Sequence, residues 1–454
     1  MRYISTRGGA APQTFTDILL EGLAPDGGLY VPESYPQFDA AKLAAMRRMG
    51  YPELAFAILS KFADDMPPAD LQSLINRSYT AAAFGSADIV PVKTLEPGLH
   101  ILSLSNGPTL AFKDVAMQLL GRLMNHALKA RGERATIVGA TSGDTGAAAI
   151  EAFRGLDMVD VFIMYPHQRV SDVQRRQMTT IGDNNIHTIA LEGTFDDCQA
   201  ILKGCFNNHA FRDRLKLSGV NSINWARVVA QTVYYFTSAV TLGAPHRKVS
   251  FTVPTGNFGD ILAGYIAGRM GLPVERLVIA TNENDILERT LSSGVSEARS
   301  VTPTQSPSMD IQVSSNFERL LFDACGRDAA AVRALMASQQ QSGRFEIPPS
   351  PLAKIRANFD AFRTGETGTG KEIARVYAET GALIDPHTAV AVHAARKVLA
   401  KAPHVPMIAL GTAHAAKFGD AVEKATGVRA PLPPHLGDID RKSTRLNSSH
   451  IPLS

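Results

Sequence analysis

Lys113 is the residue of this sequence whose type and position best suit nucleophilic chemistry. It follows an apolar run, 100–104, and a Ser-Asn-Gly-Pro tetrapeptide, which together predict a strand entering a turn. A mostly apolar helix is predicted to begin near Thr109, because large apolar residues then recur at every fourth position: Val115, Leu119 and Leu123. The pattern places Lys113 in the first turn of that helix.

A lysine in the first helical turn experiences the partial positive charge of the helix N-terminus. Partial burial there favours the neutral amine, and a neutral amine can form a Schiff base with an aldehyde. The structural alternative is that the Lys113 stem packs on the helix while its ammonium group reaches solvent. This stretch alone favours the structural alternative, whereas the rest of the chain favours the chemical one.

Three small polar turns each follow a predicted strand. The turns are Thr141–Gly146, Gly256–Asp260 and Gly411–His414. Strands that alternate with helices predict parallel sheets covered on both faces, and ligands bind such sheets at the carboxyl ends of the strands. Glycine-rich turns that precede helices can bring backbone amides close to an anion. Together with Lys113, the turns can surround one ligand.

Pyridoxal phosphate requires three things of a protein: a lysine for its Schiff base, an anion cradle and a partner for its ring nitrogen. At this point the chain resembles threonine synthases, since motifs similar to that family's occur in the family's order: GPTLAFKD, TSGDTGAAA, NSIN, PTGNFGD, SPSMDIQVSSNFERL and GTAHAAKF. The segments YISTRG and APDGGLYVPE resemble the longer, bacterial and fungal type of the enzyme. The resemblance covers about residues 1–440.

The resemblance implies an α/β fold with two lobes, of the tryptophan-synthase-β-like kind, in which helices cover parallel sheets. We expect a mainly helical N-terminal domain over 1–94 and a catalytic domain over 95–430. The smaller lobe would span roughly 130–220, and the larger lobe would comprise 95–129 and 221–430. The polar, aperiodic tail 441–454 is predicted to be disordered or an artefact.

The resemblance also implies an activity, the conversion of O-phospho-L-homoserine and water to L-threonine and phosphate by γ-elimination and β-hydration. Lys113 would carry the cofactor as a Schiff base and transfer protons. The residues that match the family's cofactor-phosphate loop are Gly256, Asn257, Phe258, Gly259 and Asp260. Thr412 matches the residue at the pyridine nitrogen. The residues that match the loop for the substrate carboxylate are Thr141, Ser142, Gly143 and Thr145.

Three further site residues follow from the same resemblance. Asn224 lies in the segment that meets the substrate phosphate, and Arg227 is a second candidate there. Asp144 lies where related pyridoxal enzymes often carry an asparagine near the phenolic oxygen of the cofactor. Because a carboxylate beside that oxygen is unfavourable unless it is held, we expect backbone amides of its own turn to hold Asp144.

Composition limits the remaining possibilities. The 454 residues include 46 basic and 43 acidic side chains, a net charge of +3, which gives no reason to expect nucleic acid or a membrane surface as partner. Only three cysteines occur, and no apolar run has the length of a signal peptide or a membrane span. The sequence therefore predicts a cytoplasmic enzyme, monomeric or homodimeric, without a metal site. His387 and His393 are expected to be capping and surface residues.

Other functions remain as alternatives. A threonine dehydratase or a β-replacing synthase would share the cofactor, although the NSIN segment and the long N-terminal portion argue against both. A catalytically inactive binding protein is opposed by the presence of Lys113. The run 365–372, GETGTGKE, nearly matches a nucleotide-binding phosphate loop, but Glu372 stands where that loop needs Ser or Thr. Because 358–363 is interpreted as a helix end, this run is predicted to be a flexible loop.

Overall fold

A computed structural model describes residues 1–141, 143–436 and 439. The N-terminal region is mainly helical, as expected, and also contains two short strands that pair antiparallel. Its elements are β1 (Tyr3–Ser5), α1 (Phe15–Glu21), β2 (Tyr30–Pro32), α2 (Ala40–Met46), α3 (Tyr51–Leu59), α4 (Pro68–Ser78) and α5 (Ala81–Phe84). Helix α1 begins at a capping box, in which the Thr14 hydroxyl and the Asp17 carboxylate satisfy each other's backbone amides.

The next part of the chain alternates strands and helices. Its elements are β3 (Val92–Glu96), β4 (Leu99–Ser103), α6 (Lys113–Arg131), β5 (Ala135–Ala140), α7 (Asp144–Phe153), β6 (Val159–Pro166), α8 (Asp172–Thr179), β7 (Ile186–Leu191), α9 (Phe195–Asn207), α10 (His209–Leu215), β8 (Leu217–Ser218) and α11 (Trp225–Thr241). Helix α11 is buried along most of its length and contacts α3, α6 and α12 (Gly259–Arg269), so it joins the N-terminal region to the remainder.

The C-terminal part adds the rest of the larger sheet. Its elements, with α12 already given, are β9 (Val249–Pro254), β10 (Val274–Thr281), α13 (Ile286–Ser293), β11 (Val295–Glu297), α14 (Phe317–Ala324), α15 (Ala329–Ser342), β12 (Arg344–Glu346), α16 (Pro349–Asn358), β13 (Phe359–Arg363), α17 (Glu366–Thr380), α18 (Pro386–Leu399), β14 (Met407–Gly411) and α19 (Gly419–Thr426). Short 3-10 helices span Pro307–Met309, Ala415–Phe418 and Pro434–Leu436.

Two separate sheets confirm the predicted fold class. One has four parallel strands in the order β7-β6-β5-β8, and we call the part of the chain that forms it, 135–218, the smaller lobe. The other has six strands in the order β13-β10-β9-β14-β4-β3, and it is parallel except for the antiparallel edge strand β3. Strands β9, β14 and β4 are adjacent in it, so their carboxyl ends lie side by side.

One stretch of the chain departs from the sequence-based prediction. Residues 358–363 were interpreted as a helix end, but Phe359–Arg363 form β13, which pairs with β10 at the edge of the sheet. The run 365–372 is not a flexible loop, because it opens α17. Its Glu372 is buried against Arg396 and His393, which fixes the helix through contacts remote in sequence. A glycine-rich segment thus folds as a helix because its partners stabilise it.

Two findings concern the chain as a whole. No helix within the described ranges is long and apolar enough to cross a membrane. All three cysteines are free thiols. The predicted tail 441–454 lies outside the described residues.

Candidate active site

Helix α6 begins at Lys113 itself, four residues later than the helical pattern suggested. The Asp114 carboxylate accepts hydrogen bonds from the Thr109 amide (2.8 Å) and hydroxyl (2.6 Å), which folds 109–112 into a turn. Leu110 in this turn has a φ of +61°, a conformation that no helix allows. The turn places the Lys113 side chain at the very start of the helix.

The segments that follow the three adjacent strands meet beside this turn. The Phe112 amide donates to the Thr412 carbonyl (2.8 Å), and the His414 amide donates to the Leu110 carbonyl (3.1 Å). These bonds fix the end of β14 against the segment between β4 and α6. On the other side of β14, the end of β9 leads into the turn 255–258 and then into α12.

A cavity of about 550 Å³, within the usual range for small-molecule sites, opens between these segments and the smaller lobe. It brings together most of the predicted residues: Lys113, Thr141, Asp144, Thr145, Arg227, Gly256, Asn257, Phe258, Gly259, Asp260 and Thr412. A second cavity, of about 470 Å³, has a mainly apolar wall and none of the predicted residues. The first cavity is therefore the candidate active site.

Two predicted residues that the structure describes, Asn224 and Gly143, do not line the cavity. Asn224 caps α11: its Oδ1 accepts from the Ala226 amide (3.0 Å) and its Nδ2 donates to the Leu19 carbonyl (3.0 Å), so its side chain does not reach the cavity wall. Gly143 shapes the turn before α7 with a φ of +136°, and a Cβ there would lie 2.4 Å from the Gln174 side chain. Ser142 lies outside the described residues.

The N-terminus of α12 provides an anion cradle. Phe258 adopts a φ of +64°, which turns the backbone sharply from β9 into the helix. Within the described chain, the amides of Asn257, Phe258 and Gly259 donate to no backbone or side-chain acceptor. Free amides at a helix N-terminus attract an anion such as a phosphate group.

The surroundings of Lys113 shift the pKa of its amine in opposite directions. Burial, the largest effect, lowers the pKa of the Lys113 amine, while the Asp144 carboxylate raises it. The ammonium group of Lys417 and the guanidinium of Arg227 lower it further. The net shift is downward, which favours the neutral, nucleophilic amine.

The expectation that backbone amides hold Asp144 is wrong. Its Oδ1 lies 2.5 Å from the Lys417 Nζ atom and accepts from the Gln174 Nε2 atom (2.9 Å), while its Oδ2 lies 3.7 Å from the Lys113 Nζ atom. Burial would raise the pKa of Asp144, but the two ammonium groups outweigh it and hold that pKa well below its usual range. Cations from distant segments satisfy the carboxylate, and local sequence gives no sign of them.

The pKa values of two other buried carboxyl groups, those of Asp114 and Asp260, are raised instead of lowered. Burial raises the pKa of Asp114 to about 6, even though Thr109 donates two hydrogen bonds to it. Burial likewise raises the pKa of Asp260 to about 6. The hydroxyls of Tyr234 (2.5 Å) and Tyr235 (2.9 Å) both donate to Oδ1 of Asp260, while its Oδ2 has no partner in the part of the chain that the structure describes.

Arg227 supplies a buried positive charge to the cavity wall. Its Nη1 donates to the Val220 carbonyl (2.6 Å), while its buried Nε has no partner among the described residues. Burial lowers the pKa of its guanidinium to about 10. A buried, incompletely paired guanidinium suits a strongly anionic ligand.

Sequence analysis missed several residues of the site. Lys417 is fully buried beside Asp144, and only its place in the GTAHAAKF motif after β14 pointed to it. His387 is buried and lines the cavity, so the expectation of a surface residue was wrong; its Nδ1 pairs with Asp385 (2.7 Å) and its Nε2 accepts from the Ser308 amide (3.3 Å). Asn221 and Ser308 also line the wall.

Comparisons with known families cover nearly the whole chain. The family described as threonine synthase N terminus matches residues 2–79, and the threonine synthase C-terminal family matches 388–450. Between them, the family of pyridoxal-phosphate-dependent enzymes matches 85–409. Pyridoxal phosphate is accordingly the cofactor of this chain.

Individual proteins agree with the family matches. The chain is 52% identical to the threonine synthase of Pseudomonas aeruginosa, over 98% of this chain and 95% of that protein. A pyridoxal-phosphate-bound threonine synthase from Brucella melitensis superposes with a TM-score of 0.97 at 55% identity, covering 99% and 96% of the two chains. The yeast threonine synthase structure superposes with a TM-score of 0.94 at 40% identity, with the same coverage. These matches show that the chain belongs to the threonine synthase family.

Proposed function

We propose that this enzyme converts O-phospho-L-homoserine and water to L-threonine and phosphate. One observation carries the assignment: Lys113 faces a cavity into which both the N-terminus of α12 and the buried Arg227 open. The cavity thus offers two separate places for anions, one for the phosphate of the cofactor and one for the phosphate of the substrate. A reaction that expels phosphate from a substrate bound to pyridoxal phosphate needs both.

The residues present fit the cofactor. Three free backbone amides before α12 suit its phosphate, Lys113 suits its aldehyde, and the Thr412 hydroxyl at the end of β14 suits its ring nitrogen. When bound, pyridoxal phosphate supplies an electron-accepting ring that acidifies the Cα–H bond of the substrate. A neutral hydroxyl at the ring nitrogen does not force protonation of the ring, which moderates that effect.

Lys113 would move protons at two carbon atoms. Phosphate leaves from the γ carbon, so removal of the Cα proton alone cannot expel it and a Cβ proton must also be taken. The Lys113 amine would lie beside Cα of the bound substrate, and its lowered pKa suits a base that works near neutral pH. We assign both proton transfers to Lys113, which must pass the first proton on before it takes the second, and the departing phosphate would be another proton acceptor.

The smaller lobe would bind the carboxylate of the substrate. Thr141 Oγ1 accepts hydrogen bonds from the amides of Gly143 and Gly146 (both 2.9 Å), which orders the turn before α7. Thr145 lines the cavity in the first turn of that helix. We propose that the carboxylate lies at this helix N-terminus.

The substrate phosphate would lie near Arg227. The Nε atom of its guanidinium has no partner among the described residues, and Asn221 also lines this wall. This proposal replaces Asn224 by Asn221, because the Asn224 amide is committed to Leu19. Charge-assisted contacts of this kind distinguish a phosphorylated substrate from its alcohol.

The decisive experiment compares two substrates. Purified enzyme should release equimolar threonine and phosphate from O-phospho-L-homoserine, far faster than free cofactor does. If the enzyme instead deaminated threonine readily and left phosphohomoserine untouched, the dehydratase alternative would replace this proposal.

Borohydride treatment followed by peptide mapping then locates the cofactor. We expect to find the pyridoxyl group on Lys113, and we expect Lys113→Ala to lose turnover completely. Lys371→Ala, which removes an exposed lysine of α17, should keep the turnover and the labelling of the wild type. A label on Lys371 would overturn the assignment. ATP binding that depended on Lys371 and not on Lys113 would instead revive the nucleotide-binding alternative.

We also propose that the enzyme acts in the cytoplasm, as a monomer or homodimer without nucleic acid. The three free cysteines and the balanced charge support this proposal. Light scattering of the eluted protein distinguishes the two assemblies.

A further inference from the structure

Lys417 is a second lysine at the candidate active site, and it does not line the cavity. It lies in the 3-10 helix Ala415–Phe418, directly after the strand β14 and Thr412. Its side chain is completely buried. Its Nζ atom donates to the Thr109 carbonyl (2.8 Å) and lies 2.5 Å from Oδ1 of Asp144. Two chain segments remote in sequence therefore fix this ammonium group.

Asp144 consequently faces two ammonium groups, one at each carboxylate oxygen. Lys417 contacts Oδ1 within hydrogen-bond distance, whereas Lys113 lies 3.7 Å from Oδ2 and makes only a charge–charge contact. The Gln174 amide also donates to Oδ1, and the Ser308 hydroxyl lies 3.4 Å from Oδ2. The carboxylate is thus held mainly by groups other than Lys113.

The Lys417 contact also crosses between the two lobes. Asp144 begins α7 of the smaller lobe, while Lys417 and Thr109 belong to the segments that follow β14 and β4 of the larger sheet. A buried ion pair at this place fixes the position of the carboxylate relative to Lys113. Removing one partner of such a pair leaves an uncompensated buried charge.

We propose that Lys417 is a positioning residue for Lys113: it engages Asp144, so that this carboxylate orients the Lys113 amine without retaining its proton. The proposal rests on the proposed role of Lys113 as the cofactor lysine. The charged groups that act on Lys113 from the elements around it are Asp144 (α7), Lys417, Arg227 (α11) and Asp114 (α6). Lys417 is the one that neutralises Asp144 most directly.

The test is a pH titration of the absorbance of the bound cofactor in the complete, cofactor-loaded enzyme. Lys417→Met removes the positive charge but keeps a side chain of similar length. The negative charge of Asp144 then acts on Lys113 without the opposing ammonium group of Lys417, so the titration midpoint should rise by about one pH unit. The Thr109 carbonyl keeps its second hydrogen bond, from the Gln177 amide (3.2 Å), so the turn before α6 retains support. Turnover should fall at a pH below the new midpoint and recover above it.

The double variant Lys417→Met/Asp144→Asn removes both charges and serves as the matched control. Its midpoint should return towards that of the wild type. This variant buries no unpaired carboxylate, so we expect it to fold even if Lys417→Met alone does not. The double variant then tests the proposal by itself: a midpoint about one pH unit above that of the wild type would overturn it.

Two outcomes separate the proposals. An unchanged midpoint in folded, cofactor-loaded Lys417→Met would overturn the role of Lys417 and leave that of Lys113 intact. A wild-type enzyme in which borohydride labels a lysine other than Lys113 would overturn the proposed function itself.

Discussion

The Nζ atom of Lys113 lies 3.7 Å from Oδ2 of Asp144, beyond hydrogen-bond distance and within the range of strong charge attraction. The pair stands in a buried cavity, where such attraction is poorly screened. The carboxylate therefore opposes the effect of burial on Lys113, since it raises the pKa that burial lowers. This relationship makes the protonation of Lys113 adjustable by a single neighbouring residue.

We predict that Asp144→Asn lowers the pH at which the absorbance of the bound cofactor titrates. The substitution removes the negative charge that raises the pKa of Lys113, while the asparagine oxygen can still accept from Gln174. Absorbance spectra between pH 5 and 10 provide the measurement. Superimposable titration curves for the variant and the wild type would remove Asp144 from the surroundings of the cofactor.

The next prediction concerns the turn between β9 and α12. A Cβ atom on Gly256 would lie 2.8 Å from the Ser308 carbonyl oxygen. Gly256→Ala must therefore displace the segment around Ser308, which lines the cavity. At Gly259 the nearest atom, Nδ2 of Asn316, would be 3.4 Å away, an ordinary contact. We expect Gly256→Ala to weaken cofactor binding by about tenfold, or about 1.4 kcal/mol, and Gly259→Ala to weaken it less.

Equilibrium titration of cofactor-free protein with pyridoxal phosphate measures this effect. Gly370→Ala is the matched control, because among the described residues no atom outside the neighbouring helix backbone lies within 4 Å of a Cβ at that position. Equal affinities for Gly256→Ala and Gly370→Ala would show that Gly256 does not control the approach of the backbone to the cofactor.

Asp260 gives rise to a prediction about stability and pH. Burial raises its pKa in the folded protein from the ordinary value of 3.8 to about 6. A raised pKa contributes stability that is complete below the unfolded value and is lost as the pH rises through 6. Asp260→Asn avoids that loss, and Asn Oδ1 can still accept from Tyr234 and Tyr235. The variant should be as stable as the wild type at pH 4 and more stable at pH 8, by up to about 3 kcal/mol.

Thermal unfolding of cofactor-free protein at several pH values provides the measurement. Asp88→Asn, at an exposed position, is the control for the substitution itself. If Asp260→Asn behaved like Asp88→Asn, the raised pKa of Asp260 would not influence stability.

Sequence patterns predicted the parts of this structure that local residues determine. Val249–Pro254 was predicted with its exact limits, because a short run of mainly β-branched and aromatic residues bounded by a glycine-rich turn indicates a strand. Lys113 and the turn before α12 were identified as site candidates from motifs of contiguous residues. The edge strand β13 was missed, since its pairing with β10 arises from residues about 80 positions away.

The candidate active site also depends on contacts between residues far apart in the sequence, which local patterns do not predict. His387 lines the cavity and Lys417 lies behind its wall, and each is held by a partner remote in sequence, Ser308 and Asp144 respectively. No spacing in the sequence encodes such contacts. Asn224 illustrates the converse: its motif suggested a ligand contact, but the packing of α1 against α11 supplied the Leu19 carbonyl as its partner.

The last prediction separates Arg227 from Asn224. Arg227→Met removes the buried guanidinium that we assign to the substrate phosphate, and losing one charge-assisted contact costs about 1.5–3 kcal/mol. We therefore expect kcat/KM for phosphohomoserine to fall by at least about tenfold, with cofactor affinity changed much less. Asn224→Ala should instead lower thermal stability by about 1 kcal/mol through the lost cap of α11, with KM unchanged.

Steady-state kinetics with phosphohomoserine, together with cofactor titration and thermal unfolding, measure all three effects on the same preparations. Asn221→Ala tests the other wall residue and should resemble Arg227→Met with a smaller effect, because an amide contributes less than a cation to a phosphate contact. If Asn224→Ala raised KM more than Arg227→Met did, the family-based expectation for Asn224 would be right. The side-chain amide would then have to leave the Leu19 carbonyl when substrate binds.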